Sequence, residues 1–190
     1  MHRVPILLTL LRAALAPVFV VMALTAPSKV GFGLGLVAAL LSDIFDGVIA
    51  RRLGVATPGL RRLDSAADSL FYLAATFAVW RLHGEALSAR ATELIALAAL
   101  ELSRYLVDWM KFGREASYHM WSSKVWGLAL FGGFLSILAF GIDGILVDAA
   151  ILVGIVADLE GLLISAILKR WETDVPTFVH AWRRRASAGR

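Results

Sequence analysis

Residues 41–52 read Leu41-Ser-Asp43-Ile-Phe-Asp46-Gly47-Val-Ile-Ala50-Arg51-Arg52, and residues 63–68 read Leu63-Asp64-Ser-Ala-Ala-Asp68. The first run closes an apolar stretch that begins at Val30, and the second opens one that ends at Leu82. A membrane span needs about 20 mostly apolar residues, so both stretches are predicted spans. At about 100° per residue, positions 43, 46, 47 and 50 share one helical face. That face carries two carboxylates, a glycine and an alanine, with Arg51 beside it. Asp64 and Asp68 stand at i and i+4 and share a face in the same way. The connection of about ten residues contains Gly54, Pro58 and Gly59, and helices joined so briefly are expected to run antiparallel and adjacent. The Asp43/Asp46 end is therefore expected to meet the Asp64/Asp68 end.

Four carboxylates so placed need compensation. At about 5 Å and an effective dielectric of about 20, each like-charge pair costs about 3 kcal/mol, so the six pairs together cost about 20 kcal/mol. Protonation relieves this, and so do divalent cations. A donor set made only of oxygen suits magnesium, manganese or calcium. Two such ions a few ångströms apart form a clamp for phosphoryl transfer. The small residues on the same face let a ligand approach the backbone. The alternative is that the acids pair with Arg51, Arg52, Arg61 and Arg62 as interfacial salt bridges. The combined pattern favours function, because acids at membrane depth are rare and usually functional.

Composition sets the class. Of 190 residues, 59% are hydrophobic and 18% charged, and the mean hydropathy is +0.74. Soluble domains average roughly 45–50% and about 25%, so this is a polytopic membrane protein. Its length predicts one domain, residues 1–190. The fold class is all-α, with six transmembrane helices at about 10–27, 30–49, 63–82, 91–110, 123–141 and 145–168. Short interfacial helices are expected at both termini, over 1–12 and 175–190; in the latter Val175, Phe178, Val179 and Trp182 fall at helical spacing beside Arg183, Arg184 and Arg185. The N-terminal run resembles a signal peptide, but Arg12 interrupts it, and the segment is read as retained.

The absence of Cys excludes disulfides, thiolate nucleophiles and Cys-based metal sites. A net charge of +4 and a pI near 9.8 raise the question of nucleic acid. The basic residues instead lie between and after the apolar runs, as topology signals do, so no nucleic acid partner is expected and an anionic lipid surface is. Arg3, Arg12, Arg51, Arg52, Arg61, Arg62, Lys111, Arg114 and Lys124 fall at one set of span ends, with the C-terminal Lys and Arg residues. The opposite ends hold Lys29, Arg81 and Arg90. The first set is predicted to be cytoplasmic, with both termini inside.

With these residues in place, the chain resembles the CDP-alcohol phosphotransferase (CDP-alcohol phosphatidyltransferase) family. The family signature is D-x2-D-G-x2-A-R, about eight residues, then G-x3-D-x3-D. Asp43, Asp46, Gly47, Ala50, Arg51, Asp64 and Asp68 supply it at the family spacing. One position departs: the signature's later glycine falls on Leu60, with Gly59 one place earlier. The resemblance implies transfer of a phosphatidyl group from a CDP-linked lipid, such as CDP-diacylglycerol, to an alcohol acceptor, with release of CMP. It implies two Mg2+ or Mn2+ ions held by Asp43, Asp46, Asp64 and Asp68, with Asp68 also the general base. Gly47, Ala50 and Arg51, and Gly59 in place of the displaced glycine, would line the CDP pocket. A homodimer in the cell inner membrane, with the active site on the cytoplasmic side, is the family expectation.

The acceptor is less defined. Pro5-Ile-Leu-Leu-Thr9-Leu-Leu-Arg12, with Pro17 after it, is similar to the opening of phosphatidylglycerophosphate and cardiolipin synthases, though Ile6 stands where Asn is usual. Leu63-Asp64-Ser65 is closer to the phosphatidylserine and phosphatidylinositol-phosphate branches. Glycerol 3-phosphate is the first candidate; inositol phosphate, serine and phosphatidylglycerol are the others. Arg104, Lys111, Arg114 and Lys124 are candidates for binding a phosphorylated acceptor, against plain positive-inside topology for Lys111 and Arg114. Arg104 and Glu101, with Asp158 and Glu160, are first read as structural pairing across helices, and Asp108 could join them. The four histidines show no metal-ligand spacing. Gly31, Gly33 and Gly35 predict close helix packing. A reading from another class is a divalent-cation transporter with the Asp cluster as its transport site.

Overall fold

A computed structural model describes residues 4–53 and 58–187, apart from the side chains of Ala50, Arg51, Pro58 and Arg61. The described chain is all-helical: α1 (Val4–Thr25), α2 (Lys29–Leu53), α3 (Pro58–Leu82), α4 (Gly84–Ser88), α5 (Ala91–Phe112), α6 (Trp121–Phe134), α7 (Ile145–Ile167) and α8 (Phe178–Ser187). α6 continues as a π-helical turn, Leu135–Phe140. That turn ends at Gly141 with φ 71°, a left-handed conformation that favours glycine.

Among the described residues, four stretches are long and apolar enough to cross a membrane: Val4–Thr25, Lys29–Ile49, Trp121–Phe140 and Ile145–Ile167. They match four of the six predicted spans. α3 and α5 are as long, but fall outside this set. Arg61, Arg62, Asp64 and Asp68 crowd the first half of α3, and Glu93, Glu101, Arg104, Asp108 and Lys111 are spaced along α5. The N-terminus differs from expectation. The structure has one helix from Val4 to Thr25, not a short interfacial helix followed by a span. Nothing between residues 4 and 12 breaks a helix, and Pro5 lies in the first turn, where its missing N–H costs nothing. Residues 1–3 and 188–190 of the two predicted terminal segments lie outside the described residues.

The chain forms two compact units. The first holds residues 1–88 and 134–143. Here α1 packs against both α2 and α3, and α2 packs against the π-helical turn. Phe19 of α1 meets Phe32 of α2 edge to face at 5.2 Å and Phe71 of α3 at 5.0 Å. Ala16, Ala23, Ala39, Ala67, Ala75 and Ala78 of the same helices are buried. Small residues let helices approach where no water drives them together. The glycine series does what its spacing predicts: a Cβ on Gly31 would lie 2.7 Å from Met22 Sδ, and one on Gly35 2.5 Å from the Phe19 ring. Val18, Val21 and Leu24 point outward, as lipid-facing residues do.

The second unit holds residues 89–133 and 144–190. α5 packs on α7, and α8 on the end of α7. Tyr118, Met120, Ile164, Ile167, Leu168, Val175 and Ala181 form its buried core. Gly154 receives Trp126, and Gly161 receives the Arg104 side chain.

The Phe19 contact is testable. The ring is wholly buried, so a methyl at Gly35 has nowhere to go. Gly35→Ala is expected to destabilise the detergent-solubilised protein by about 1–3 kcal/mol, lowering the melting temperature by about 2–10 °C. Gly132→Ala, whose Cβ would meet nothing within 4 Å, should melt like the parent.

Candidate active site

The acids sit where the helical offsets put them, on α2 and α3. The way they meet is different. Among the described residues the backbones of α2 and α3 do not come close, and the two helices meet through their acids. α1 lies against both, and its Arg12 joins them.

Arg12 is almost wholly buried, at 1% exposure. Its Nη1 donates to Asp43 Oδ1 at 2.8 Å and to Asp68 Oδ1. Its Nη2 donates to Asp64 Oδ1 at 2.5 Å and to Asp46 Oδ2. The planar guanidinium carries its N–H groups in a fixed fork, which suits it to several carboxylates at once. Thr9, one turn earlier, is also buried, and its hydroxyl lies within reach of Asp46 Oδ2 at 3.3 Å and Pro5 O at 3.1 Å. All four acids thus share one cation from another helix; the side chains of Arg51 and Arg61, two of the arginines in the expected alternative, lie outside the described residues.

The four acids are not equivalent. The Asp46 side chain is 6% exposed, while Asp43, Asp64 and Asp68 are 48%, 34% and 35% exposed. Asp43, Asp64 and Asp68 each offer one oxygen within a set no more than 4.8 Å apart, so they could hold a metal ion. Octahedral magnesium, with oxygens at about 2.1 Å, spans about 4.2 Å across. Small side-chain rotations close that difference, and an all-carboxylate donor set suits a hard divalent cation.

Gly47 lies half-buried on α2. Ala50 and Arg51 lie on α2 too, with their side chains outside the described residues. Gly59 is exposed in the first turn of α3, and a Cβ there would meet nothing, so packing does not demand glycine. Beside Thr9, Leu10, Ala13, Leu63, Ala66 and Leu70 line an apolar groove between α1 and α3.

The acceptor candidates all belong to the second unit, and each has a partner there. Arg104 Nη1 lies 2.8 Å from Asp158 Oδ1, an ion pair whose angle falls short of a hydrogen bond. This is the structural pairing expected for these two residues. Lys111 Nζ donates to the carbonyls of Ser165 and Ala166 at 2.7 and 3.1 Å, capping the C-terminus of α7. Arg114 stacks on Trp171, and Lys124 on Trp121. Asp108 accepts from Ser165 Oγ at 2.5 Å and lies 3.5 Å from the Tyr118 hydroxyl. Burial is the main cause pushing the Tyr118 phenol up to about 12; the Ser165 hydrogen bond acts against it and the charge of Asp108 adds to it. Glu160 accepts from the Phe178 N–H at the start of α8.

A carboxylate cluster that could hold metal, set in a bundle of apolar helices, defines a membrane enzyme built for phosphate chemistry. The family model for CDP-alcohol phosphatidyltransferase matches residues 2–159, and the chain belongs to that family. It is a membrane transferase of phospholipid biosynthesis that moves a phosphatidyl group from a CDP-alcohol. No curated protein and no solved structure matches the chain.

The Arg104–Asp158 pair gives a test of its structural role. Asp158 is wholly buried, so Arg104→Met strands a charge and is expected to cost about 3–5 kcal/mol in a thermal melt. The double variant Arg104→Met/Asp158→Leu should recover most of that loss.

Proposed function

We propose that the chain transfers a phosphatidyl group from CDP-diacylglycerol to glycerol 3-phosphate and releases CMP. The observation that carries this reading is the convergence of Asp43, Asp64 and Asp68 on one small set of oxygens, in a chain of this family. Asp43, Asp46, Asp64 and Asp68 would hold two Mg2+ or Mn2+ ions, which supply positive charge to the pyrophosphate as charge develops there. Asp68 takes the proton of the acceptor hydroxyl. The freed oxygen attacks the phosphorus that bears the lipid, the pyrophosphate P–O bond breaks, and CMP departs with that bond's electron pair. Gly47, Ala50, Arg51 and Gly59 line the CDP side. The apolar groove beside Thr9 suits an acyl chain of the donor. A phosphorylated acceptor needs cations of its own; Arg114 and Lys124 suit this best, because both are exposed while Arg104 and Lys111 hold Asp158 and the end of α7.

The wider setting belongs to the same proposal. α3 and α5, with 25 and 22 residues, reach about 33–38 Å and can cross the bilayer with the other four helices. α8 lies in the headgroup layer: Phe178 and Trp182 are exposed beside three arginines. The Lys/Arg asymmetry supports an inner membrane enzyme with its site on the cytoplasmic side. The family match runs through both compact units, which supports one catalytic domain over 1–190. Homodimerisation rests on the family alone.

Purified protein with CDP-diacylglycerol and Mg2+ or Mn2+, offered glycerol 3-phosphate, inositol phosphate, serine or phosphatidylglycerol in turn, should release CMP best with glycerol 3-phosphate. A different preferred acceptor would reassign the substrate. Chelator should abolish release, and Asp68→Asn should lower it by about 10²–10⁴-fold with the melt retained. Full activity in Asp68→Asn would remove the proposed base. A cation transporter would instead show metal flux into proteoliposomes without any CDP-lipid.

A further inference from the structure

The cation among the four carboxylates belongs to the chain itself. Arg12 contacts Asp43, Asp46, Asp64 and Asp68 through its two terminal nitrogens. Its Nε is buried and has no hydrogen-bond partner among the described residues. A buried N–H left unpaired is costly, and the ion pairs of the two terminal nitrogens offset that cost. Three of its four partners, Asp43, Asp64 and Asp68, are the residues that could hold a metal ion. A guanidinium a few ångströms from that position opposes any cation there.

We propose that Arg12 is a tethered competitor for the divalent cations of this cluster. It is a positioning residue: it holds the acids of α2 and α3 together and weakens their cation affinity, because an entering ion must take carboxylates that Arg12 shares. The partly exposed Asp43, Asp64 and Asp68 are given up first. The buried Asp46, bonded also by Thr9, is the contact that Arg12 keeps longest. This inference rests on the reading of the acids as metal ligands, and on no assumption about the acceptor.

The test is Mn2+ binding to the purified protein in detergent, followed by the electron paramagnetic resonance of free Mn2+ and by the melting temperature with and without chelator. Arg12→Gln is expected to bind Mn2+ at least about tenfold more tightly than the parent, since a like charge at close range has been removed. In chelator it should melt below the parent, and saturating Mn2+ should raise its melt by more than it raises the parent's. Equal or weaker Mn2+ binding by a folded Arg12→Gln would overturn the proposal while leaving the metal site intact. No Mn2+ binding by the parent or the variant would overturn the metal reading and this inference together. Should Arg12→Gln lose its cooperative melt in chelator, Arg12→Lys carries the same question. Its single flexible ammonium cannot bridge four carboxylates, so its Mn2+ affinity should exceed the parent's, and an unchanged or lower affinity would overturn the proposal.

Discussion

Four acids from two helices converge on one guanidinium from a third, and the first compact unit is organised around that contact. Without a cation among them, the acids would repel one another in a medium that screens poorly. With Arg12 in place they have a common partner, and the backbones of α2 and α3 need not approach. α1 therefore does two jobs along its length. Its second half sets the spacing through Phe19, buried against Phe32, Gly35 and Phe71. Its first half presents Thr9 and Arg12 to the acids. The aromatic contacts and the ion cluster thus support the same three-helix arrangement from different depths.

Most of the fold could be read from the sequence because apolar length is a strong signal. Each predicted span corresponds to a helix, with ends moved by a few residues. The acids of the site could be read as well, since i, i+3 and i+4 offsets place side chains on known faces. The neighbour relation was harder. A short connection argues for adjacent helices, but it constrains only their joined ends, and another helix can lie between them. In the sequence Arg12 carries the mark of a topology charge, as positive residues near span ends usually do. The signal that could have marked it is its place inside an apolar helix, one turn after Thr9 on the same face. A charge at that position requires a partner.

The second unit shows how the same residue types can serve structure. Arg104 and Asp158 neutralise each other, Asp108 anchors the hydroxyls of Ser165 and Tyr118, and Lys111 closes the end of α7. Sequence spacing flagged several of these groups as site candidates. What separates them from the Asp cluster is balance: Asp158 has a cation of its own and Asp108 a hydroxyl, whereas in the first unit four acids share the guanidinium of Arg12.

α8 is tied to what precedes it at both ends. Glu160 receives its first N–H, and Arg185 near its last turn donates to the carbonyl of Ile167. Arg184 adds contacts to Glu172 and to the carbonyls of Thr173 and Asp174. An amphipathic helix held this way cannot move as an independent peptide would. Lifting it would uncover the end of α7, so whatever α8 binds is thermodynamically linked to the folding of the second unit.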